Sequence, residues 1–252
     1  MTRIIISGAC GRMGRMLHQA ALGMDGIEIV AGVDRVKAED IKAFPLYESL
    51  DQVKEKADAV VDFTSPQALD GIAAYCGKAG CGAVLATTAY SADDDEKVKK
   101  LAEKVPVFRS ANMSVGINLL IDLVKKAAAS LEGFDIEIIE KHHNQKIDSP
   151  SGTALMLADA ANEVYGGALE YQHGRHTKTD KRRTVELGIH AVRGGTITGD
   201  HSVLFIGQDE VVELHHSAQS RMVFAQGALR AATFISGKEP GLYNMGDIID
   251  SK

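Results

Sequence analysis

Tryptophan is absent from the 252 residues, and the remaining aromatics make up only 5% of them. Too few rings are available for a base-stacking platform or an aromatic carbohydrate groove. Cysteine is scarce: Cys10, Cys76 and Cys81 are odd in number and contain no Cys-x-x-Cys pair. A disulfide framework and a zinc knuckle are both unsupported, and reduced thiols in a cytoplasmic protein are the expectation. Basic residues are in deficit, 28 Lys and Arg against 34 Asp and Glu, for a net charge of −6. Non-specific nucleic-acid binding needs the opposite sign. No apolar run approaches the roughly 18 residues of a membrane span. The chain enters a strand at Ile4 without a signal-peptide pattern.

What remains is an ordinary globular composition, 45% hydrophobic and 25% charged, long enough for one large domain or two small ones. Over the first half, strands at 3–7, 28–34, 59–62, 83–86 and 105–109 alternate with helices through 24, at 66–79 and at 93–103. That alternation predicts an α/β fold, a Rossmann-type doubly wound parallel sheet. Beyond 113 the pattern changes. A helix at 116–131, a strand at 134–139 and a helix at 154–164 precede a polar segment, 165–183, read as a mobile loop or lid. Strands at 186–193, 201–207 and 210–217 follow and are expected to be antiparallel members of a mixed sheet. A helix at 222–236 and a Gly/Pro tail close the chain. The predicted organisation is a dinucleotide-binding domain (1–113), an inserted mixed α/β domain (114–220), and a C-terminal helix and tail (221–252) returning to the first.

Gly8, Gly11 and Gly14 lie between the first strand and its helix. There glycine permits a tight turn and close backbone approach, and the helix start offers N–H groups to a pyrophosphate. Cys10 stands where the common fingerprint has its second glycine. Asp34 ends the second strand about 20 residues after Gly14, the position for an acid that bonds an adenosine ribose. Arg35, with Lys37 nearby, can instead receive a 2′-phosphate. An acid followed by arginine predicts that NADH and NADPH are both accepted. A solvated strand end is the bland alternative.

The densest chemistry runs from Glu140 to Ala154: Glu-Lys-His-His-Asn-Gln-Lys-Ile-Asp-Ser-Pro-Ser-Gly-Thr-Ala. A histidine and a nearby lysine can supply protons and offset negative charge. Ser151-Gly152-Thr153 opens a helix, where backbone N–H groups and a hydroxyl suit a carboxylate. Metal ligation by His142 and His143 with Glu140 or Asp148 is the competing reading. Adjacent histidines on a strand point to opposite faces, and no further Cys or His completes a closed site, so no metal is expected. No Gly-x-Ser-x-Gly elbow supports nucleophilic catalysis. Histidine, lysine and an anion cradle beside a nicotinamide fold suggest reduction of an anionic substrate with protonation.

Several motifs resemble the dihydrodipicolinate reductase (4-hydroxy-tetrahydrodipicolinate reductase) family over nearly the whole chain. In order they are Gly8-Ala9-Cys10-Gly11-Arg12-Met13-Gly14, Val61-Asp62-Phe63-Thr64-Ser65-Pro66, Ala86-Thr87-Thr88-Ala89-Tyr90 and Ala111-Asn112-Met113-Ser114-Val115-Gly116-Ile117-Asn118. The histidine cluster through Ala154, Arg193-Gly194-Gly195 and Gly199-Asp200-His201 complete the set. The resemblance implies NAD(P)H-dependent reduction of (2S,4S)-4-hydroxy-2,3,4,5-tetrahydrodipicolinate, with loss of water, in lysine and diaminopimelate biosynthesis. It implies that Gly8, Ala9, Cys10, Gly11, Arg12 and Met13 hold the pyrophosphate and that Asp34 and Arg35 receive the adenosine ribose or its phosphate. Ala86, Thr87 and Thr88, with Ser110, Ala111, Asn112 and Met113, would line the nicotinamide side. His142 and Lys146 are implied as proton carriers, and His143, Gly152 and Thr153 as substrate-carboxylate ligands. A cytoplasmic homotetramer formed through the inserted domain is also implied. Cys10, Ala86 and Met113 depart from the family's usual Gly, Gly and Phe, which bears on cofactor affinity more than on the reaction.

Two other functions stay open on the residues alone. One is another imine or aspartate-type dehydrogenase on the same architecture; the other is a redox-sensing nucleotide-binding regulator without catalysis. The regulator calls for a DNA-binding segment or basic patch, which the sequence does not display.

Overall fold

A computed structural model of the chain describes every residue except Lys37, Glu39 and Lys252. Lys37, placed above beside a 2′-phosphate, therefore lies outside the described residues. The chain runs β1 (Thr2–Ser7), α1 (Arg12–Ala21), β2 (Ile27–Val33), β3 (Leu46–Tyr47) and β4 (Ala59–Asp62), then α2 (Leu69–Ala79), β5 (Gly82–Leu85), α3 (Ala92–Ala102) and β6 (Pro106–Arg109). It continues through α4 (Val115–Ser130), β7 (Asp135–His142), α5 (Gly152–Val164), β8 (Glu170–His173), β9 (Glu186–Arg193), β10 (Gly199–Ile206) and β11 (Val211–Ala218). It ends with α6 (Met222–Ile235), β12 (Gly241–Tyr243) and α7 (Met245–Asp250). Two compact units emerge, Met1–Val115 with Arg221–Lys252, and Gly116–Ser220.

In the first unit seven parallel strands stand in the order β12-β6-β5-β4-β1-β2-β3. The consecutive isoleucines of β1 show why the strands read as unbroken apolar runs. Ile4 and Ile6 pack with Leu17 of α1 and the alanines of α6 on one face, and Ile5 packs with Ile72 of α2 and Val98 of α3 on the other. Each is fully buried, worth about 2 kcal/mol apiece. The alanine-rich α6 permits close packing: a Cβ at Gly227 would stand 1.7 Å from the Met113 carbonyl oxygen. From β1 the chain moves outward to β2 and β3, then returns as β4 on the other side of β1. That reversal leaves a crevice at the carboxyl ends of β1 and β4, where doubly wound sheets receive ligands.

The second unit is a five-stranded mixed sheet in the order β11-β10-β7-β9-β8. Helices α4 and α5 share a core with one of its faces, built from Leu120, Val124, Leu157, Ile136, Ile138, Leu187, Val203 and Phe205. In β7 the even-numbered residues are buried and the odd-numbered ones are partly exposed. Alternation of this kind marks a sheet packed mainly on one face.

Three expectations change. β9 and β10 run in opposite directions as expected but are not neighbours; β7 lies between them, parallel to β9 and antiparallel to β10. Segment 165–183 contains β8, which pairs with β9 at the sheet edge. The tail is ordered into β12, which adds to β6, and the capped helix α7.

Candidate active site

Gly8 leaves β1 with φ of 83°, a left-handed conformation that glycine adopts without strain. Its N–H and that of Ala9 donate to the Val33 carbonyl at 2.8 and 3.2 Å, fastening the turn to the end of β2. A Cβ at Gly14 would lie 2.2 Å from the Gly8 carbonyl oxygen, so glycine there lets α1 start against the turn. Gly11 caps α1 without a side-chain hydrogen bond, and first-turn N–H groups have no intrahelical acceptor. This is an anion cradle made of main chain.

Asp34 joins that cradle. Its Oδ2 accepts the Cys10 N–H at 2.9 Å and its Oδ1 accepts the Val36 N–H at 3.1 Å. Each oxygen keeps acceptor capacity for a hydroxyl. Burial, then the neighbouring Asp34 carboxylate, pushes the Cys10 thiol up, away from the reactive thiolate. Gly8, Gly11, Asp34 and Arg35 line a cleft of about 1030 Å³ together with Thr64 and Tyr75. Beneath it Asp62, fully buried, accepts the Thr64 hydroxyl at 2.7 Å and the Thr87 hydroxyl at 2.6 Å. One carboxylate thus fixes the loops after β4 and β5.

The other expected cofactor residues are placed differently. Ala9, Ala86 and Met113 are buried among core side chains. Cys10 and Met13 are half-buried, while Arg12, Thr88 and Ala111 are exposed. Ser110 donates to the Asn112 carbonyl at 2.7 Å, and the Asn112 side-chain oxygen accepts the Ser114 N–H at 2.9 Å. These residues belong to the same unit as the cleft, but 86–88 and 110–113 are not among the residues that line it.

In the second unit the histidine cluster is organised around Glu140, which has no exposed surface. Its Oε2 accepts His142 Nδ1–H at 2.6 Å and Arg193 Nη1 at 2.7 Å; its Oε1 accepts Arg193 Nη2 at 2.7 Å and the Ser151 N–H at 2.9 Å. Burial alone would raise its pKa, but the bonds from His142, Arg193 and the Ser151 N–H outweigh it and hold the carboxyl at about 2. An ionised acceptor makes Nδ1 the protonated nitrogen of the His142 ring and leaves Nε2 for chemistry. Sheet register brings the partners together: His201 pairs with Glu140 across β10, and Arg193 pairs with His142 across β9.

His201 stacks edge-on against His142 at 5.1 Å and meets the Ser151 hydroxyl at 3.0 Å. Burial and then the neighbouring His142 lower its pKa to about 4. The Ser151 oxygen also accepts the Ala154 N–H at 3.1 Å, capping α5. Gly152 and Thr153 form the first turn behind that cap. Lys146 reaches both oxygens of Asp148, at 2.7 and 2.8 Å, and this pairing lowers the Asp148 pKa. His143, just past the end of β7, donates its backbone N–H to the Ile197 carbonyl at 2.8 Å. His142, His143, Lys146, Gly152 and Thr153 therefore gather around one strand end. Among the described residues no group of three or more His, Cys, Asp or Glu side chains is arranged to hold a metal ion.

Asp62, Arg193 and His201 had no role in the sequence reading, although each lies in a quoted motif, and Ser151 entered it only as part of a helix opening. Glu140 was read only as a candidate metal ligand. The one local signal was Glu140-x-His142, two residues that share a strand face.

The geometry agrees with the comparisons to known proteins. The family model described as "Dihydrodipicolinate reductase, N-terminus" matches residues 2–113, and "Dihydrodipicolinate reductase, C-terminus" matches 116–249. A 4-hydroxy-tetrahydrodipicolinate reductase from Caldanaerobacter subterraneus is 51% identical over 99% of this chain and 98% of that protein. One from Clostridium novyi is 46% identical over the whole of both. The solved dipicolinate-bound dihydrodipicolinate reductase from Paenisporosarcina sp. superposes with a TM-score of 0.81, at 26% identity over 97% of each chain. An aspartate dehydrogenase from Thermotoga maritima shares the fold alone, with a TM-score of 0.53 at 15% identity over 95% of this chain and 98% of that one. From one end to the other, this chain belongs to the dihydrodipicolinate reductase family.

Proposed function

We propose that the chain is a 4-hydroxy-tetrahydrodipicolinate reductase. It converts (2S,4S)-4-hydroxy-2,3,4,5-tetrahydrodipicolinate to tetrahydrodipicolinate, with loss of water, on the lysine and diaminopimelate route. The observation that carries this reading is the adjacency of a proton-handling histidine and an anion cradle. His142 is locked by Glu140 beside the α5 start, where Ser151 caps Gly152 and Thr153. Full-length relatives of that name support it.

The crevice of the first unit fits a dinucleotide: main-chain donors face an anion, and Asp34 has acceptors left for a ribose. A reduced nicotinamide, when bound, supplies the hydride. Gly8 to Met13 hold the pyrophosphate through their backbone, while Ala86, Thr87, Thr88 and Ser110 to Met113 shape the nicotinamide side. Asp62 supports that wall by holding the Thr87 hydroxyl. The adenosine ribose goes to Asp34 and a 2′-phosphate to exposed Arg35, so both NADH and NADPH are used. In the second unit His143, Gly152 and Thr153 hold the substrate carboxylates. His142 and Lys146 carry protons, and the lysine charge offsets electron density that builds up as an imine is reduced. Residues 1–113 serve the cofactor, 114–220 the substrate and a homotetramer interface, and 221–252 complete the first unit. No described helix is long and apolar enough to cross a membrane, and a cytoplasmic location is part of the proposal.

A coupled assay with enzymatically generated substrate tests the reading, run with NADH and with NADPH. Oxidation of both cofactors is expected; binding of NADH without turnover of this or any imine substrate would overturn it. In the same preparation, folded Lys146→Ala protein should lose most turnover, and normal turnover removes Lys146 from the mechanism. Sizing at micromolar concentration should give a tetramer, and a monomer refutes that part.

A further inference from the structure

We infer that Glu140 is the positioning residue of the cluster: its carboxylate fixes His142 in one tautomer and ties that ring to the start of α5. The inference rests on the proton-handling role proposed for His142. A carboxylate has about four acceptor sites, and all four here are taken: His142 Nδ1, two nitrogens of Arg193 and the Ser151 N–H. Nothing is left on Glu140 for a substrate or a metal ion, so its effect passes through its partners. Toward His142 it accepts the hydrogen bond from Nδ1–H and thereby directs the reactive lone pair, or the donated proton, to Nε2. Toward Ser151 it orients the residue whose hydroxyl caps α5, behind the Gly152–Thr153 cradle.

The surroundings support a fixed ring. Arg193 arrives from β9 and also donates to the carbonyls of Val192 and Asp148, so its position is set by four hydrogen bonds. From β10 come His201, edge-on to the ring, and Asp200, paired with Lys141. His216 of β11 pairs in register with His201. Lys146 and Asp148 neutralise one another on the loop before α5. On the far side of the ring Gly199 leaves room: a Cβ there would stand 3.2 Å from Nε2. One nitrogen is held and the other carries no hydrogen bond among the described residues, which is the geometry of an oriented acid–base.

The test combines ring spectroscopy with kinetics. In histidine-labelled wild-type protein, nitrogen NMR should show the neutral His142 ring protonated at Nδ1, with the signal assigned by its loss in His142→Asn. Protonation at Nε2 overturns the inference, and this measurement stands even if no Glu140 variant folds. Glu140→Gln replaces one acceptor oxygen with a donor that faces incoming N–H groups. Turnover should fall about 100-fold and KM should rise through the loosened α5 start. The limb of the pH–rate profile carried by the ring should move to lower pH, because an adjacent anion favours imidazolium. Glu140→Asp, which keeps the charge, should restore the limb but not the full rate. A lower melting temperature with unchanged tautomer and pH limb would mean a purely structural role, and the inference fails. If His142→Asn turns over normally, the underlying functional reading fails. If His142→Asn is dead while Glu140→Gln matches wild type, only the role of Glu140 fails.

Discussion

At the end of β1 the groups that can receive a pyrophosphate are main-chain N–H groups, shaped by Gly8 and Gly14 and carrying no formal charge. At the end of β7 they are charged side chains, most of them already committed to one another around Glu140. Both sites use a strand-to-helix turn, yet one is specified by the space left free and the other by charges that must be balanced. The first should therefore be sensitive to added volume and indifferent to pH, and the second the reverse.

The strongest way to break that contrast is Arg193→Ala. It leaves the buried Glu140 carboxylate without its bidentate partner, and losing one member of a buried ion pair costs about 3–5 kcal/mol. The expected outcome is a large loss of stability confined to the second unit, read by hydrogen exchange at β7 and β9, with exchange at β1 and β4 unchanged. Equal loss in both units would show that the charge network does not belong to the second unit alone.

A milder perturbation is acid. His201, held near 4 against an ordinary 6.5, stays neutral in the folded protein while the unfolded chain takes up a proton. Its contribution is complete above about pH 6.5 and is lost as pH falls toward 4, amounting to at most about 3 kcal/mol. Glu140, near 2 against 4.5, acts in the next window: its contribution is present above about 4.5 and is lost as pH falls through 2. The carboxyls lowered in the first unit, Asp40, Asp51, Asp94 and Glu96, lie at the surface, Asp94 half-buried in the cap of α3, and are held by surface partners, where screening leaves little. Protection of β7 and β10 should fall between pH 6.5 and 4 while that of β1 and β2 holds, and a parallel fall in both would erase the distinction.

The same contrast explains what the amino-acid sequence made legible. Sheet strands buried on two faces, such as Ile4-Ile5-Ile6, leave continuous apolar runs, and the parallel order follows from their alternation with helices. Edge strands leave little trace: β8 reads Glu-Tyr-Gln-His, and β12 is three residues long. The glycine turn and the His142–Thr153 run are local in sequence and could be found by spacing. Arg193 and His201, more than 50 residues beyond Glu140, enter the cluster only through the register of β9 and β10 with β7. Register is a property of the folded sheet, so their roles could not be read from neighbours along the chain.

The smallest expected effect isolates volume. In Gly14→Ala the new methyl would meet the Gly8 carbonyl oxygen at 2.2 Å and Ala9 backbone atoms at 2.7 Å. Backbone cannot rotate away as a side chain can, so α1 must shift from the turn. The helix gains about 1 kcal/mol from replacing glycine, while overpacking costs about 1–3 kcal/mol, leaving a net loss of roughly 1 kcal/mol. Gly77→Ala on α2 is the matched control, because nothing lies within 4 Å of its Cβ position and only the helical gain remains. Weakened dinucleotide affinity in Gly14→Ala, constant from pH 5 to 8 and absent in Gly77→Ala, is the outcome that steric specification requires. Should the affinity loss grow as pH falls, a titrating group would have to hold the pyrophosphate, and the division between a site of space and a site of charge would not hold.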